Sequence, residues 1–534
     1  MKTIISVLLL SLTCLFTNAQ FKQIAEGPKF AEPEEGFAKI IQMKNGNTFF
    51  ISISLKNGIN VRIYDAAHKE TAATSFNPAY QVLKTADVEA IFEMNSDIIV
   101  FISERDDHTP VLYRLIIDAA TGKLKEEKTI FRMKKEGAFV NTGAFNSFSV
   151  VKDPFSENYA VCLYYVTEPD PQKRIEIVHY GKDHNEISRT FCATPNDEYK
   201  FFLYVDMVVT GSEKVCAILF ASNEKYYLGT KKGNLYMAAI EKGKAAVSYS
   251  KLDFSEDLEI RWGLARYSAV NKDIFLLTAA KVKKEKDKYI PYLVVIEATT
   301  GKVKRAGNTE IGEKLNTDYK EKFDRKKDYS GMPQNLFIND DGSFAVVYEE
   351  ILVQRQSSQS GFGSSTQLRV DTKLGKIVVA AYDKNAALLS SYLVPKEHWI
   401  IFQELSPFYH ARREGTAQQL FKGNQYKSFA YLNGINKNYI LFNDTERNND
   451  VKKDKFVEVQ GVSDCDAFVY KLSGNEIFPK REYAFENTTG SKNHNLLLYA
   501  ISDYDRKNNV YVTLRLDKEV RTSKEVKLVW LQPQ

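Results

Sequence analysis

Two short stretches of this chain gather side chains suited to holding an anionic or sugar-like ligand. The first is Phe408-Tyr409-His410-Ala411-Arg412-Arg413, where two guanidiniums sit beside aromatic rings. A guanidinium offers a planar fork of N–H donors, so this group suits a carboxylate, a phosphate or a sugar acid. A plainer reading is the commoner use of such charges: a surface loop in which Arg412 and Arg413 pair with Glu404 and Glu414. The second stretch is Arg261-Trp262-Gly263, followed by Arg266 and Tyr267, at the start of a strand expected to face a central channel. Trp262 there fits ordinary core packing equally well.

The other patterns that could carry chemistry are weaker. The chain has no G-x-S-x-G elbow and no H-E-x-x-H helix, so neither a hydrolase serine nor a zincin site is indicated. Gly229-Thr230-Lys231-Lys232-Gly233-Asn234 lacks the Gly-Lys-Ser/Thr ending of a phosphate loop and reads as a hairpin turn. His179 and His184 flank a turn with no third ligand near them in sequence, and no metal is expected. Asn339-Asp340-Asp341-Gly342-Ser343 has the look of an acidic calcium loop or an Asp box, yet Ile338 stands where the box wants Ser or Thr. An Asp-Gly turn there needs no ion. Among 68 acidic residues no catalytic pair stands out.

The elements that would position these groups begin after a leader. Lys2, the mostly apolar run Ile4 to Phe16 and Thr17-Asn18-Ala19 make a secretory signal peptide over residues 1–19, with cleavage after Ala19. Cys14 is preceded by Ser11-Leu12-Thr13, which lacks the small residue a lipidation site wants. No later apolar run approaches ~20 residues, so no membrane span is expected. The formal charge of +5, one unit of it from Lys2, is too weak over 534 residues to imply nucleic acid. Cys162, Cys192, Cys216 and Cys465 show no metal spacing, and one disulfide at most is expected. Cys162 and Cys216 sit in apolar strands, where a thiol acts as a small hydrophobe.

Alternation with period 2 then dominates residues 20–534. Phe49, Ile51, Ile53 and Leu55 point one way, Asn57-Gly58 supplies a hairpin turn, and Asn60 to Asp65 returns. Glu70 to Phe76 completes the unit, and seven further copies follow, the later ones starting near Asn158, Glu213, Asp273, Gly342, Lys427 and Asn495. A small twisted sheet cannot bury both faces alone, but copies stacked round an axis can. The expected fold is therefore all-β, a single β-propeller of eight, alternatively seven, four-stranded blades. The last unit, Leu496 to Leu531, is one strand short, and the segment after Gln20 is expected to supply it.

Four insertions interrupt the repeat. Lys281 to Lys288 reads as a charged hairpin tip, and Ser357 to Thr366 as a flexible loop. Gly312 to Asp328 spaces Leu315, Tyr319 and Phe323 for one face of a helix. The longest, 396–423, holds the first candidate stretch.

Ile117-Asp118-Ala119-Ala120-Thr121-Gly122-Lys123 and Ile296-Glu297-Ala298-Thr299-Thr300-Gly301-Lys302 resemble the D-x-x-T-G-K turn of quinoprotein-type propeller repeats. Those repeats continue to a Trp that docks the blades. None follows either turn here, so no quinone and no other cofactor is expected. The stretch Gly342 to Asp444, with Phe344 to Glu349, Ile377 to Asp383 and Phe442-Asn443-Asp444, resembles exported bacterial propeller-like proteins of unknown function. That resemblance implies a fold and no activity.

The expectation is an exported, secreted or periplasmic, monomeric module that binds a protein or glycan of the cell envelope. The alternative is a glycan hydrolase or lyase with acidic residues in the channel. Several channel carboxylates round a pocket would favour the enzyme. An aromatic channel with the Ser357–Thr366 loop and the 396–423 insertion on one face would favour the binder.

Overall fold

The computed structural model describes residues 21–534 except 55, 80–85, 137–145, 167, 196–197, 224–232, 245, 253–257, 283–288, 359–366, 449–454, 486–493 and 518–523. The segment expected to be a leader, most of the Ser357–Thr366 loop and most of the charged tip expected at 281–288 thus lie outside the described residues. Eight antiparallel sheets, seven built on four consecutive strands and the last on three together with the N-terminal strand, form an eight-bladed β-propeller.

The inner strands are Gly36–Gln42, Asp87–Met94, Ser147–Lys152, Phe201–Thr210, Leu258–Ser268, Met332–Ile338, Phe429–Asn433 and Leu496–Asp505, for blades 1 to 8 in order. They contact one another in sequence round the axis, and blade 8 returns to blade 1. Between blades 6 and 7 the contact includes the rings of Phe337 and Tyr431, 4.8 Å apart.

Burial follows the radial position of each strand. The second strand of blade 1, Thr48–Ser54, is buried on both faces because blades stack on either side of it. The outer strand Glu70–Phe76 alternates half-buried and exposed, so only one face is covered. This gradient explains why middle strands read as near-continuous apolar runs and outer strands as alternating ones.

Blade 8 closes as the sequence suggests. Phe21–Glu26 pairs antiparallel with Glu525–Pro533, Phe21 opposite Pro533, and completes the sheet as its outer strand. The Phe21 ring packs edge-on against Tyr439 of blade 7 at 5.3 Å.

The D-x-x-T-G-K-like turns dock blades without a tryptophan. Asp118 accepts from the N–H of Ala120 and Thr121, and Gly122 takes φ +71°. A Cβ on Gly122 would fall 2.6 Å from Thr74 Oγ1, because the turn lies on the outer strand of blade 1. Thr74 donates in turn to Gly122 O at 2.9 Å. Gly301 of blade 5 lies equally close to Ser250 of blade 4, and Arg305 of blade 5 donates to Asn385 O and Ala386 O in the matching turn of blade 6. Side chain-to-turn bonds take over the task that the resemblance assigned to Trp.

Helix α1, Glu313–Phe323, buries Leu315, Tyr319 and Phe323 on the face their spacing suggested. Tyr319 donates to Glu350 at 2.5 Å and ties the helix to blade 6. Among the described residues no helix is long and apolar enough to cross a membrane.

Candidate functional site

The 396–423 insertion is not a surface loop: it enters the channel. It leaves blade 6 after Leu388–Val394, and Lys396, fully buried, donates to the equally buried Glu349 at 2.7 Å. The chain then forms helix α2, Tyr409–Gly415, which touches the inner strands of blades 2 and 6 on opposite walls of the ring. Its return, Gln418–Leu420, pairs along the inner strand of blade 1.

Seven residues make a marginal helix in isolation, so tertiary bonds must hold α2. Phe408 N–H donates to Pro333 O at 3.0 Å, and Tyr409 Oη to Glu349 at 2.5 Å. His410 stacks on Phe429 with centroids 4.8 Å apart, and Arg413 donates to Ser428 Oγ and Phe429 O. Glu414 accepts from Arg266 of blade 5 and Asn335 of blade 6. Lys39 of blade 1 donates to the carbonyls of Arg413, Glu414 and Thr416 at 2.6–2.9 Å. A cation at a helix C-terminus meets both the unpaired carbonyls and the negative end of the dipole.

Helix α2 divides the channel into two spaces. The larger, about 1050 Å³, runs along blades 2 to 6, with Phe92, Phe148, Tyr204, Trp262, Glu89, Asp206 and Arg412 among its lining residues. The smaller, about 490 Å³, is lined by Lys39, Asp503, Arg506 and Asn433 with residues of blades 1, 2, 6, 7 and 8. The larger one lies at the upper end of the usual size for small-molecule sites.

Its wall is shaped by β-bulges. Inner strands slip register at Glu89, Val205, Arg261 and Gln334, in blades 2, 4, 5 and 6. A bulge adds one unpaired residue and re-aims the side chains around it. Asp206 follows the blade 4 bulge, and its two oxygens accept from Met207 N–H at 2.8 Å and Ala265 N–H of blade 5 at 2.7 Å. Burial raises its pKa against the pull of those N–H groups and of Arg266 and Arg412. Glu89 accepts from Ser103 Oγ at 2.6 Å, and burial pushes its carboxyl up to about 7.

The two stretches marked in the sequence meet here, though not as whole units. Arg412 and Trp262 line the same cavity, Trp262 also lying against Tyr289 at 5.7 Å. Tyr409, His410 and Arg413 anchor the helix, His410 and Arg413 also lining the smaller space. Arg261 is the extra residue of the blade 5 bulge, and its side chain is outside the described residues. The expected pairings of the arginines are corrected: Glu404 pairs with Arg355 and Glu414 with Arg266, because α2 carries Arg412 and Arg413 inward.

The remaining candidates are structural. His179 Nε2 lies 3.1 Å from Gly211 O, and His184 Nδ1 lies 3.2 Å from Tyr159 Oη. Among the described residues no group of His, Cys, Asp and Glu could hold a metal. Asp341 accepts from the N–H and hydroxyl of Ser343, which closes the Asp-Gly turn. Cys162, Cys192, Cys216 and Cys465 are buried and free.

Glu89, Asp206 and Lys39 escaped the sequence reading. The signal was present in part: Leu203-Tyr204-Val205-Asp206-Met207-Val208 places an acid in an otherwise apolar strand.

No known protein family matches the chain, and no curated protein does. Among solved structures it is similar to a prolyl endopeptidase at 9% identity and TM-score 0.41, covering 91% of this chain but 55% of that one, so it spans about half the endopeptidase's length. Polysaccharide lyase Uly1 matches at 8% identity and TM-score 0.38, over 86% of this chain and 91% of that one. The β-propeller domain of the Trilobed protease from Pyrococcus furiosus matches at 10% and 0.32, over 69% and 98%.

Proposed function

We propose that the protein is an exported, non-enzymatic propeller of the cell envelope that binds a glycan in the larger channel cavity. Export rests on the leader pattern of residues 1–19. The observation that carries the binding is the convergence of Trp262, Tyr204 and Arg412 on one partly open cavity. Aromatic faces cover the apolar faces of sugar rings while polar groups fix their orientation. A concave, walled cavity suits an extended small ligand better than the surface of a folded protein.

An acidic-channel enzyme has one observation in its favour, the Glu89 carboxyl held near neutrality. Glycoside hydrolysis ordinarily needs two carboxyl groups. Of the other two carboxylates lining the cavity, Asp206 is tied to main-chain N–H groups and Glu414 to Arg266 and Asn335. Glu89 therefore has no ready partner, and binding is the better reading.

The test is affinity electrophoresis of the mature protein in gels containing envelope polysaccharides, with the same mixtures assayed for new reducing or unsaturated chain ends. Retardation that Trp262→Ala abolishes, without new ends, is expected. New chain ends would transfer the assignment to the enzyme, and absence of retardation would remove the glycan.

A further inference from the structure

Among the described residues, Arg412 is the cation of the larger cavity that the protein does not itself use. Its side chain is exposed within the channel and, among the described residues, makes no hydrogen bond or ion pair. Only its main chain is engaged, the N–H to Phe408 O and the carbonyl to Thr416. The neighbouring cations are committed: Arg413 to Ser428 and Phe429, Arg266 to Glu414.

Asp206 is the acid that acts on Arg412 through space, yet both its oxygens are occupied by main-chain N–H groups. The surrounding protein partly desolvates this guanidinium, and an arriving anion offsets that loss of water. The helix beneath it is locked by Tyr409, His410, Arg413, Glu414 and Lys39, so the guanidinium is presented from a fixed base.

We propose that the glycan of this cavity is a uronic-acid saccharide, with a sugar carboxylate seated on the guanidinium of Arg412. This rests on reading the cavity as a glycan site. A carboxylate is singly charged and planar, and it matches the two-pronged donor edge of one arginine. A phosphate or sulfate ester would fill the same place less well, since among the described cavity residues Arg412 alone is uncommitted to meet its further oxygens. Trp262 and Tyr204 line the same space and can cover the ring that bears the carboxylate.

The experiment is isothermal titration of the mature protein with tetramers of galacturonate, glucuronate and mannuronate, and with the carboxyl-reduced, neutral counterpart of each, at fixed ionic strength. At least one acidic tetramer should bind tenfold or more tightly than its neutral counterpart. Arg412→Gln should erase that advantage, and Arg412→Lys, which keeps the charge but loses the planar fork, should retain only part of it. Thermal unfolding of both variants should match the parent, because the side chain supports no bond of the fold.

Equal binding of acidic and neutral tetramers overturns the carboxylate while leaving the glycan site standing. An acidic preference that survives Arg412→Gln overturns the assignment to Arg412. Absence of binding by every tetramer, together with absence of retardation by envelope polysaccharides, removes the glycan site and the inference with it.

Discussion

The ammonium of Lys39 lies 2.7 Å from the carbonyl oxygen of Thr416, 377 residues further along the chain. With its bonds to Arg413 O and Glu414 O, it fastens the last turn of α2 to the inner strand of blade 1.

Lys39→Met keeps the stem and removes the charge and donors. Three carbonyls then lose a charge-assisted partner, and a stability loss of about 2–4 kcal/mol is expected in denaturant titration. Amide hydrogen exchange should quicken over residues 409–416 more than in the blades. Unchanged protection there would mean that α2 is held without Lys39.

The raised pKa of Glu89 sets the sign of a pH effect. The folded carboxyl titrates at about 7 and the unfolded one at about 4.3, so between those values the folded state binds the extra proton. The stability this group contributes is complete below about pH 4 and is lost as pH rises through 7. Glu89→Gln should match the parent at pH 4.5 and exceed it by about 1–2 kcal/mol at pH 8, the figure being reduced for water in the cavity. A difference that does not change with pH would contradict the burial of this carboxyl.

Gly243 and Gly301 share φ +74° but not their surroundings. An added Cβ meets nothing within 4 Å at Gly243, whereas at Gly301 it falls 2.0 Å from Ser250 Oγ and 2.7 Å from Ser250 Cβ. Rotating Ser250 moves the oxygen but not the Cβ. Gly243→Ala should therefore cost about 1 kcal/mol of backbone strain, and Gly301→Ala about 3 kcal/mol or more, because blade 5 is pushed off blade 4. Equal melting temperatures for the two variants would refute this account of blade docking.

Phe21 is buried at the closing strand, while Lys22 beside it is exposed. Phe21→Ala should cost about 3 kcal/mol by thermal unfolding, and Lys22→Ala less than about 0.5 kcal/mol. If both changes prove silent, the strand contributes no stability to the ring.

The repeat and its closure were legible because middle strands declare themselves by apolar runs, and Asn57-Gly58 or Thr121-Gly122 by their turns. Helix α1 was legible from Leu315, Tyr319 and Phe323 at a spacing of four. The path of α2 was not. Tyr409, His410 and Arg413 look like surface residues because their partners Glu349, Phe429 and Ser428 belong to elements that only the closed ring brings near. The bulge at Glu89 was hidden as well, since one extra residue shifts a period-2 pattern without leaving a mark of its own.

The pairing of Phe21–Glu26 with Glu525–Pro533 also has a temporal side. Gln23 stands opposite Leu531 in this seam, so a chain made from its N-terminus produces one edge of the seam long before the other. At typical elongation rates of about 5–20 residues per second, the first strand waits roughly 25–100 s for its partner. Throughout that interval its N–H and C=O groups are unpaired, and they form a template for any other extended chain nearby. The hazard of this architecture is therefore greatest during biosynthesis, and it passes when the last strand arrives.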